Sequence, residues 1–190
     1  MFVDTCQFDF VAGLGERWQV ISEELVGLDR TEFTAWQETH LYKTGWDVFG
    51  LYAFGKKLPE NCARVPRTTA LIEHIPGMVS AGFSSMQPMT HIAPHFGYSY
   101  DYSDDGKLTT ERVLNQGVLR LHLGLIVPPT LTELGCAIRV GEHVAAWREG
   151  ECLCFDDALD HEAWNRSQGT RVVLIVDFKP AQSVVDPHAA

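Results

Sequence analysis

Six candidate strands lie between residues 79 and 178, and they limit the possible folds more than any other feature of this chain. They are rich in Val, Ile, Leu and Phe, and turns containing Gly, Pro and Asp separate them, a pattern typical of β-strands. A series of short strands with polar turns is typical of sandwiches and jelly rolls. We therefore predict a mainly β fold. The candidate strands are residues 79–86, 90–95, 118–127, 136–140, 151–155 and 171–178.

The N-terminal part of the sequence has a different period. Large apolar side chains recur at helical spacing between residues 18 and 28, which predicts an amphipathic helix, and a second short helix is expected at about 31–36. No repeat or linker divides the chain, and a length of 190 residues suits one domain with a proper core. We expect a single domain, 1–190, whose helical part at about 14–40 packs outside a jelly-roll core at about 44–180.

The charge balance bears on partners and location. The formal net charge is −10 and no run of Lys and Arg is present, which argues against nucleic-acid polymers and anionic membrane surfaces as partners. Asp4 and Asp9 interrupt the region where a signal peptide would lie, and no apolar stretch approaches the roughly 18 residues needed to span a bilayer. The expected location is cytoplasmic. The oligomeric state is left open.

The run 118–127 carries the first functional signal. Its alternation places a row of leucines on one face and Arg120, His122 and Gly124 on the other. An Arg, a His and a Gly opposite a leucine face suggest a polar cavity inside a two-sheet barrel. A solvent-facing edge strand with an incidental His explains the run equally well, so both readings stay open at this point.

The second signal lies downstream. His161 follows an apolar strand and an acidic turn, 39 residues after His122, and two neutral imidazoles are suitable ligands for iron. Arg171 opens the next strand ten residues later, on an alternating face that can point inward. A planar guanidinium can bind a carboxylate through two hydrogen bonds while the other end of a keto acid chelates the metal. The pattern predicts a site for Fe(II) and 2-oxoglutarate.

Five ordered motifs resemble the aspartyl/asparaginyl β-hydroxylases, and the resemblance covers roughly residues 41–180. Members of that family are iron(II)- and 2-oxoglutarate-dependent dioxygenases with a double-stranded β-helix, the cupin-like jelly roll. The resemblance implies that His122 and His161 hold the iron, that Arg171 binds the distal carboxylate of 2-oxoglutarate, and that Arg139 makes a second polar contact to this cosubstrate. The motifs are THIAPHFG (90–97), LRLHLGL (119–125), CAIRVG (136–141), FDD to HEAWN (155–165) and RVVLIVDF (171–178).

Further site residues follow from these motifs. His95, within THIAPHFG, is expected to contact cosubstrate or substrate. Gly124 stands where most of the wider superfamily has the Asp or Glu of a facial triad, which leaves a metal position for water or a halide. Arg120 either binds a substrate anion or pairs with a carboxylate, and Trp164 is expected beside the metal as a packing or substrate-contacting residue. The polar segment 98–116, beginning with Tyr98, is long enough to close over a substrate.

These observations predict an enzyme that uses O2 to hydroxylate an aliphatic C–H bond of a small molecule, such as an amino acid, a nucleotide or a natural-product intermediate. One alternative is a halogenase of the same cofactor class, with chloride bound to the metal opposite Gly124. Another is a jelly-roll binding module without catalysis, since a fold does not determine a function.

Overall fold

The structure is a computed structural model that describes residues 1–97, 101–102, 108–109 and 117–180. Tyr98 and most of the predicted closing segment lie outside the described residues, so the expectations for them stay predictions. The helices are α1 (Asp9–Glu16), α2 (Trp18–Val26), α3 (Pro59–Arg64) and α4 (Pro66–Ile72), with short 3-10 helices at Thr5–Gln7, Arg30–Glu32 and Thr39–Leu41. Proline occupies the first turn of α3 and of α4, where its missing N–H is not needed.

Most of the remaining described residues form strands. The strands are β1 (Thr34–Ala35), β2 (Trp46–Ala53), β3 (Lys56–Lys57), β4 (Met78–Met86), β5 (Thr90–His95), β6 (Asp101–Tyr102), β7 (Leu108–Thr109), β8 (Leu119–Ile126), β9 (Cys136–Val140), β10 (His143–Ala146), β11 (Cys152–Asp156), β12 (His161–Asn165) and β13 (Arg171–Phe178).

Two antiparallel sheets make up the jelly roll. The major sheet has the order β1-β2-β4-β13-β8-β11, with β3 beside β2, and the minor sheet has the order β10-β9-β12-β5. The mainly β jelly-roll fold predicted from the sequence is confirmed. The predicted short helix at 31–36 is wrong, because only one 3-10 turn forms at Arg30–Glu32 before the chain pairs with β2 as β1. Pairing with β2 outweighs a weak local helical pattern.

The core has two parts, one on each face of the major sheet. Leu121 and Leu123 of β8 pack with Ile21 and Leu25 of α2, so the helices cover the outer face as expected. Between the two sheets lies a second cluster that includes Phe155, Ile138 and Ile175. Because β8 is hydrogen-bonded to β13 and β11 on its two sides, it is not an edge strand. The Arg120–His122–Gly124 face therefore points between the sheets.

In the described part of the chain, no helix is both long and apolar enough to cross a membrane.

Candidate active site

A pair of histidines lies on two neighbouring strands of the minor sheet, the edge strand β5 and the adjacent strand β12. His95, the last residue of β5, and His161, the first residue of β12, face each other across the strands. Their ring centroids are 4.2 Å apart. His161 is buried and His95 is half-buried. The histidine paired with His161 is therefore His95, which the sequence assigned to the cosubstrate or substrate. It is not His122.

Both histidines are held in the same tautomer. Nδ1 of His95 lies 2.8 Å from the carbonyl oxygen of Ala93, and Nδ1 of His161 lies 2.8 Å from that of Leu159. A carbonyl oxygen only accepts hydrogen bonds, so Nδ1 carries the proton and Nε2 keeps its lone pair. Histidines that bind metals in proteins usually donate their other ring N–H in this way.

The charge states of this pair suit a metal ion. Burial, with smaller contributions from the neighbouring His95 and Arg120, lowers the pKa of His161 to about 3. Burial also lowers the pKa of His95. Both rings are therefore neutral near pH 7, the form that coordinates metals. The buried Nε2 of His161 has no hydrogen-bond partner among the described residues. An orphaned lone pair of this kind fits a metal ligand.

His122 has the opposite tautomer. The indole Nε1 of Trp147 donates to its Nδ1 over 3.3 Å. An indole N–H cannot accept, so Nδ1 of His122 is the acceptor and the proton of the neutral ring is on Nε2. Burial lowers the pKa of His122 well below its usual value, and the positive charge of Arg171 adds to this effect. Its buried Nε2 has no partner in the described part of the chain. His122 therefore presents a hydrogen-bond donor to the cavity.

Arg171 presents a second donor near the same tryptophan. Its guanidinium carbon lies 4.3 Å from the centroid of the Trp147 ring, a cation–π distance, and Nη1 donates to the carbonyl oxygen of Ser84 over 3.2 Å. Burial lowers its pKa to about 10, so the group stays protonated near pH 7. Its Nε has no partner among the described atoms. Two buried, unsatisfied donors around one aromatic ring fit an anionic ligand such as a carboxylate.

Phe155 connects the two halves of the site. Its ring centroid lies 5.2 Å from that of His161 and 5.4 Å from that of His122, in an edge-on arrangement with His122. The phenyl ring is fully buried. An apolar side chain between the histidines keeps bulk water away from both.

Arg120 lies in a buried ion-pair network. Its Nε and Nη2 donate to the two carboxylate oxygens of Asp177 over 2.7 and 2.9 Å, and its Nη1 lies 2.7 Å from Oδ1 of Asp157. Oδ1 of Asp157 is also 3.8 Å from Nε2 of His161. Of the two roles that the sequence allowed for Arg120, pairing with carboxylates is the one that this arrangement fulfils. Asp157 is thus a neighbour of His161, and the sequence did not indicate this contact.

Two predicted site residues are not brought to the cavity. Arg139 alternates with the buried Ile138 and Val140, and its side chain pairs with Glu162 (2.6 Å) and Asp160 (2.9 Å) on the outer face of the minor sheet. Trp164 points to the same outer face, where its Nε1 donates to the carbonyl oxygen of Leu134 and Arg166 lies over its ring. Neither residue faces the histidines, because strand alternation places them opposite to His161 and Ala163.

Gly124 is packed tightly. Its amide donates to Glu151 and its carbonyl accepts from Gly150. A Cβ added at this position would collide with the carbonyl oxygen of Arg148. The space expected for water or a halide directly beyond Gly124 is thus filled by the main chain. Within the described ranges, no three His, Cys, Asp or Glu side chains are arranged to hold a metal ion. A metal at the His95–His161 pair would have two protein ligands.

Trp147 is the main residue of the candidate site that could not be identified from the sequence. It contacts both His122 and Arg171, yet it lies between two of the motifs that carry the resemblance and belongs to no periodic run. Only the three-dimensional arrangement gives it a role.

Comparisons of the sequence with known proteins agree on one family. A model of the aspartyl/asparaginyl β-hydroxylase family matches residues 15–180. The chain is 40% identical over 189 residues to the ornithine lipid ester-linked acyl 2-hydroxylase of Rhizobium tropici, covering 95% of this chain and 61% of that protein. It is 31% identical over 182 residues to human aspartyl/asparaginyl β-hydroxylase, covering 92% of this chain and 21% of the human protein. The chain thus spans less than two thirds of either relative. Its structure is also similar to HygX from Streptomyces hygroscopicus with nickel and 2-oxoglutarate bound, with a TM-score of 0.49, 16% identity, and coverage of 90% of this chain and 80% of HygX.

Proposed function

The chain belongs to the aspartyl/asparaginyl β-hydroxylase family, and on that premise we propose that it is an iron(II)- and 2-oxoglutarate-dependent hydroxylase. The observation that carries this proposal is the division of the cavity into two chemically different halves. One half offers two neutral imidazoles with free lone pairs, and the other offers two buried hydrogen-bond donors. A divalent metal fits the first half and a carboxylate fits the second.

We assign the metal to His95 and His161. Their Nδ1 hydrogen bonds to main-chain carbonyls fix both rings with Nε2 available. The resemblance suggested His122 in place of His95, and the tautomer of His122 argues against that choice, because its Nε2 carries the proton. A bound ferrous ion together with 2-oxoglutarate would supply the oxidising chemistry that inserts an oxygen atom from O2 into a C–H bond.

We assign the distal carboxylate of 2-oxoglutarate to Arg171 and His122. The Nε of Arg171 and the Nε2–H of His122 are donors without partners among the described atoms, and Trp147 holds both side chains. Charge-assisted hydrogen bonds in a dry cavity are stronger than neutral ones. Phe155 excludes water between the carboxylate end and the metal end. The predicted role of Arg139 in this contact finds no support, since its guanidinium is engaged on the outer face.

The two alternatives receive less support. Glycine at 124 has a packing cause in the Arg148 carbonyl, so its presence does not favour a halide. A binding module without catalysis would have no need for two imidazoles with free Nε2 lone pairs beside a separate anion site. The names of the relatives refer to a lipid acyl group and to aspartyl or asparaginyl groups, so we propose lipids and peptides as candidate substrates beside the small molecules considered from the sequence.

The proposal is tested by anaerobic titration of the protein with Fe(II) and 2-oxoglutarate. We expect a visible charge-transfer band that requires both additions, together with conversion of 2-oxoglutarate to succinate when O2 is admitted. Loss of the band in the His161→Ala variant, with an unchanged circular dichroism spectrum, would assign it to this site. A wild-type protein that forms no band and consumes no 2-oxoglutarate would support the binding module instead.

A further inference from the structure

A cleft of about 530 Å³ lies on the inner side of the major sheet. Its walls are mostly apolar and include Trp36, Val48 and Ile175. Ile175 is the cross-strand partner of His122, and Trp36 stacks on Trp46 with ring centroids 4.6 Å apart. The ring centroid of Trp46 is in turn 6.4 Å from that of His95. Contacts through Ile175, and through Trp36 and Trp46, thus connect the cleft walls to both halves of the proposed active site.

Three carboxylates line this cleft, and they differ in how their charges are balanced. Glu32 is paired with Arg64, and Asp177 receives two hydrogen bonds from Arg120. Glu38 has no Lys or Arg partner in the described part of the chain, although only 6% of its surface is exposed, and the base on which its charge acts is the neutral His95. Its carboxylate accepts one hydrogen bond, from the indole Nε1 of Trp36 over 3.0 Å. A buried carboxylate without a cation is costly and calls for an external partner.

We propose that this cleft binds an aliphatic substrate carrying a protonated amino group, and that Glu38 is the counter-ion for that group. The inference builds on the proposed function, since the bound chain would be the one offered to the metal. The apolar walls favour hydrocarbon over a polar polymer. The single uncompensated negative charge selects a cation over an alcohol or a carboxylate, because each competitor leaves Glu38 buried without a counter-charge. The position of Glu38 beside Trp36, next to Trp46 and His95, puts the amino group near the metal end of the cleft.

Calorimetric titration with three probes of equal chain length tests this proposal: n-hexylammonium, n-hexanol and hexanoate. Binding is measured with 2-oxoglutarate in excess and without Fe(II) or O2, so that the proposed carboxylate site at Arg171 and His122 is occupied and no turnover takes place. We expect the amine to bind roughly ten- to a hundredfold more tightly than hexanol, as a charge-assisted hydrogen bond allows, and hexanoate to bind most weakly. Equal affinities for amine and hexanol, or no heat with the amine, would overturn the proposal.

Two variants test whether Glu38 causes the preference for the amine over hexanol. In Glu38→Gln, amine affinity should fall to the level of hexanol while hexanol affinity is retained. In Glu32→Gln, which removes a cleft carboxylate already paired with Arg64, amine affinity should not change. Glu38→Gln should also keep or raise the stability of the fold and leave Fe(II) affinity unchanged. A loss of stability would reveal an internal partner for Glu38, and a loss of Fe(II) affinity would make Glu38 a counter-charge for the metal. Either result contradicts a role in binding the substrate.

Discussion

The ring of His95 lies 4.2 Å from the ring of His161, centroid to centroid, at the facing ends of two antiparallel strands. Each ring donates from Nδ1 to the carbonyl two residues earlier. His122 stands across Phe155 from His161 and accepts a hydrogen bond from Trp147 instead. This difference in hydrogen bonding separates the roles of the three histidines and leads to a direct test.

We expect His95→Ala and His161→Ala to lose Fe(II) binding, and His122→Ala to keep it. With two protein ligands, losing one leaves a single imidazole, and the loss of affinity should exceed the roughly 10- to 100-fold effect of removing an outer-shell partner. Equilibrium dialysis under anaerobic conditions measures this without turnover. Exposed His143 provides a matched control as His143→Ala. Loss of iron in His122→Ala with normal affinity in His95→Ala would restore the ligand set suggested by the resemblance.

Arg171→Lys should raise the KM for 2-oxoglutarate by roughly 10- to 100-fold and leave Fe(II) affinity near normal. A lysine keeps the charge but cannot reproduce the planar fork or the stacking on Trp147. Steady-state kinetics with varied 2-oxoglutarate measures the change. Arg139→Lys is the matched control, because the Arg139 side chain is engaged with Glu162 and Asp160 on the outer face. If Arg139→Lys raised the KM for 2-oxoglutarate more than Arg171→Lys did, the residue that binds the carboxylate would be Arg139 on the minor sheet.

The sequence predicted the faces of the strands better than their partners. The alternation in 118–127 placed His122 on the face opposite the leucines, because side chains of a strand alternate with a period of two. The leucine face is the one that packs against the helices. Which histidine joins His161 depends on the pairing of β5 with β12, and no local pattern encodes that contact between distant segments. For the same reason Trp147 and Glu38 could not be identified: each acts through neighbours that only the sheet packing brings close.

Trp147→Phe should raise the KM for 2-oxoglutarate roughly two- to tenfold, the range of one neutral hydrogen bond. A phenyl ring keeps the apolar contact with Arg171 but removes the N–H that holds Nδ1 of His122. Trp147→Leu should have a larger effect, because it removes the cation–π contact as well. Steady-state kinetics measures the KM for 2-oxoglutarate, and equilibrium dialysis measures the affinity for Fe(II). A raised KM with normal Fe(II) affinity indicates that Trp147 positions His122 and Arg171. If both variants lowered iron affinity instead, Trp147 would belong to the metal half.

The metal-free protein should lose stability as the pH falls below about 6.5. The pKa values of His122, His161 and His95 are lowered in the folded state, in each case chiefly by burial, and that of His161 to about 3. Below the unfolded pKa near 6.5 the unfolded chain binds more protons, so acid favours unfolding, by at most about 1.4 kcal/mol per pH unit for each histidine. Urea denaturation between pH 7 and pH 5 measures the slope. His161→Asn should flatten it and the exposed His143→Asn should not. An equal slope in both variants would show that other groups cause the acid sensitivity.

Gly124→Ala should lower the free energy of unfolding by roughly 1–3 kcal/mol, the usual cost of overpacking. The added Cβ would meet the Arg148 carbonyl, which is main chain and cannot rotate away. Gly13, inside α1 with open space around it, is the matched control, and Gly13→Ala should raise stability by roughly 0.5–1 kcal/mol through helix propensity. Urea denaturation measures both changes. The result also bears on halogenation, because a glycine required by packing needs no anion to explain it. Two results together would contradict this explanation: Gly124→Ala is as stable as the wild type, and chloride stabilises only the wild-type protein loaded with Fe(II). The position would then be open to a halide, and the halogenase would become the better proposal.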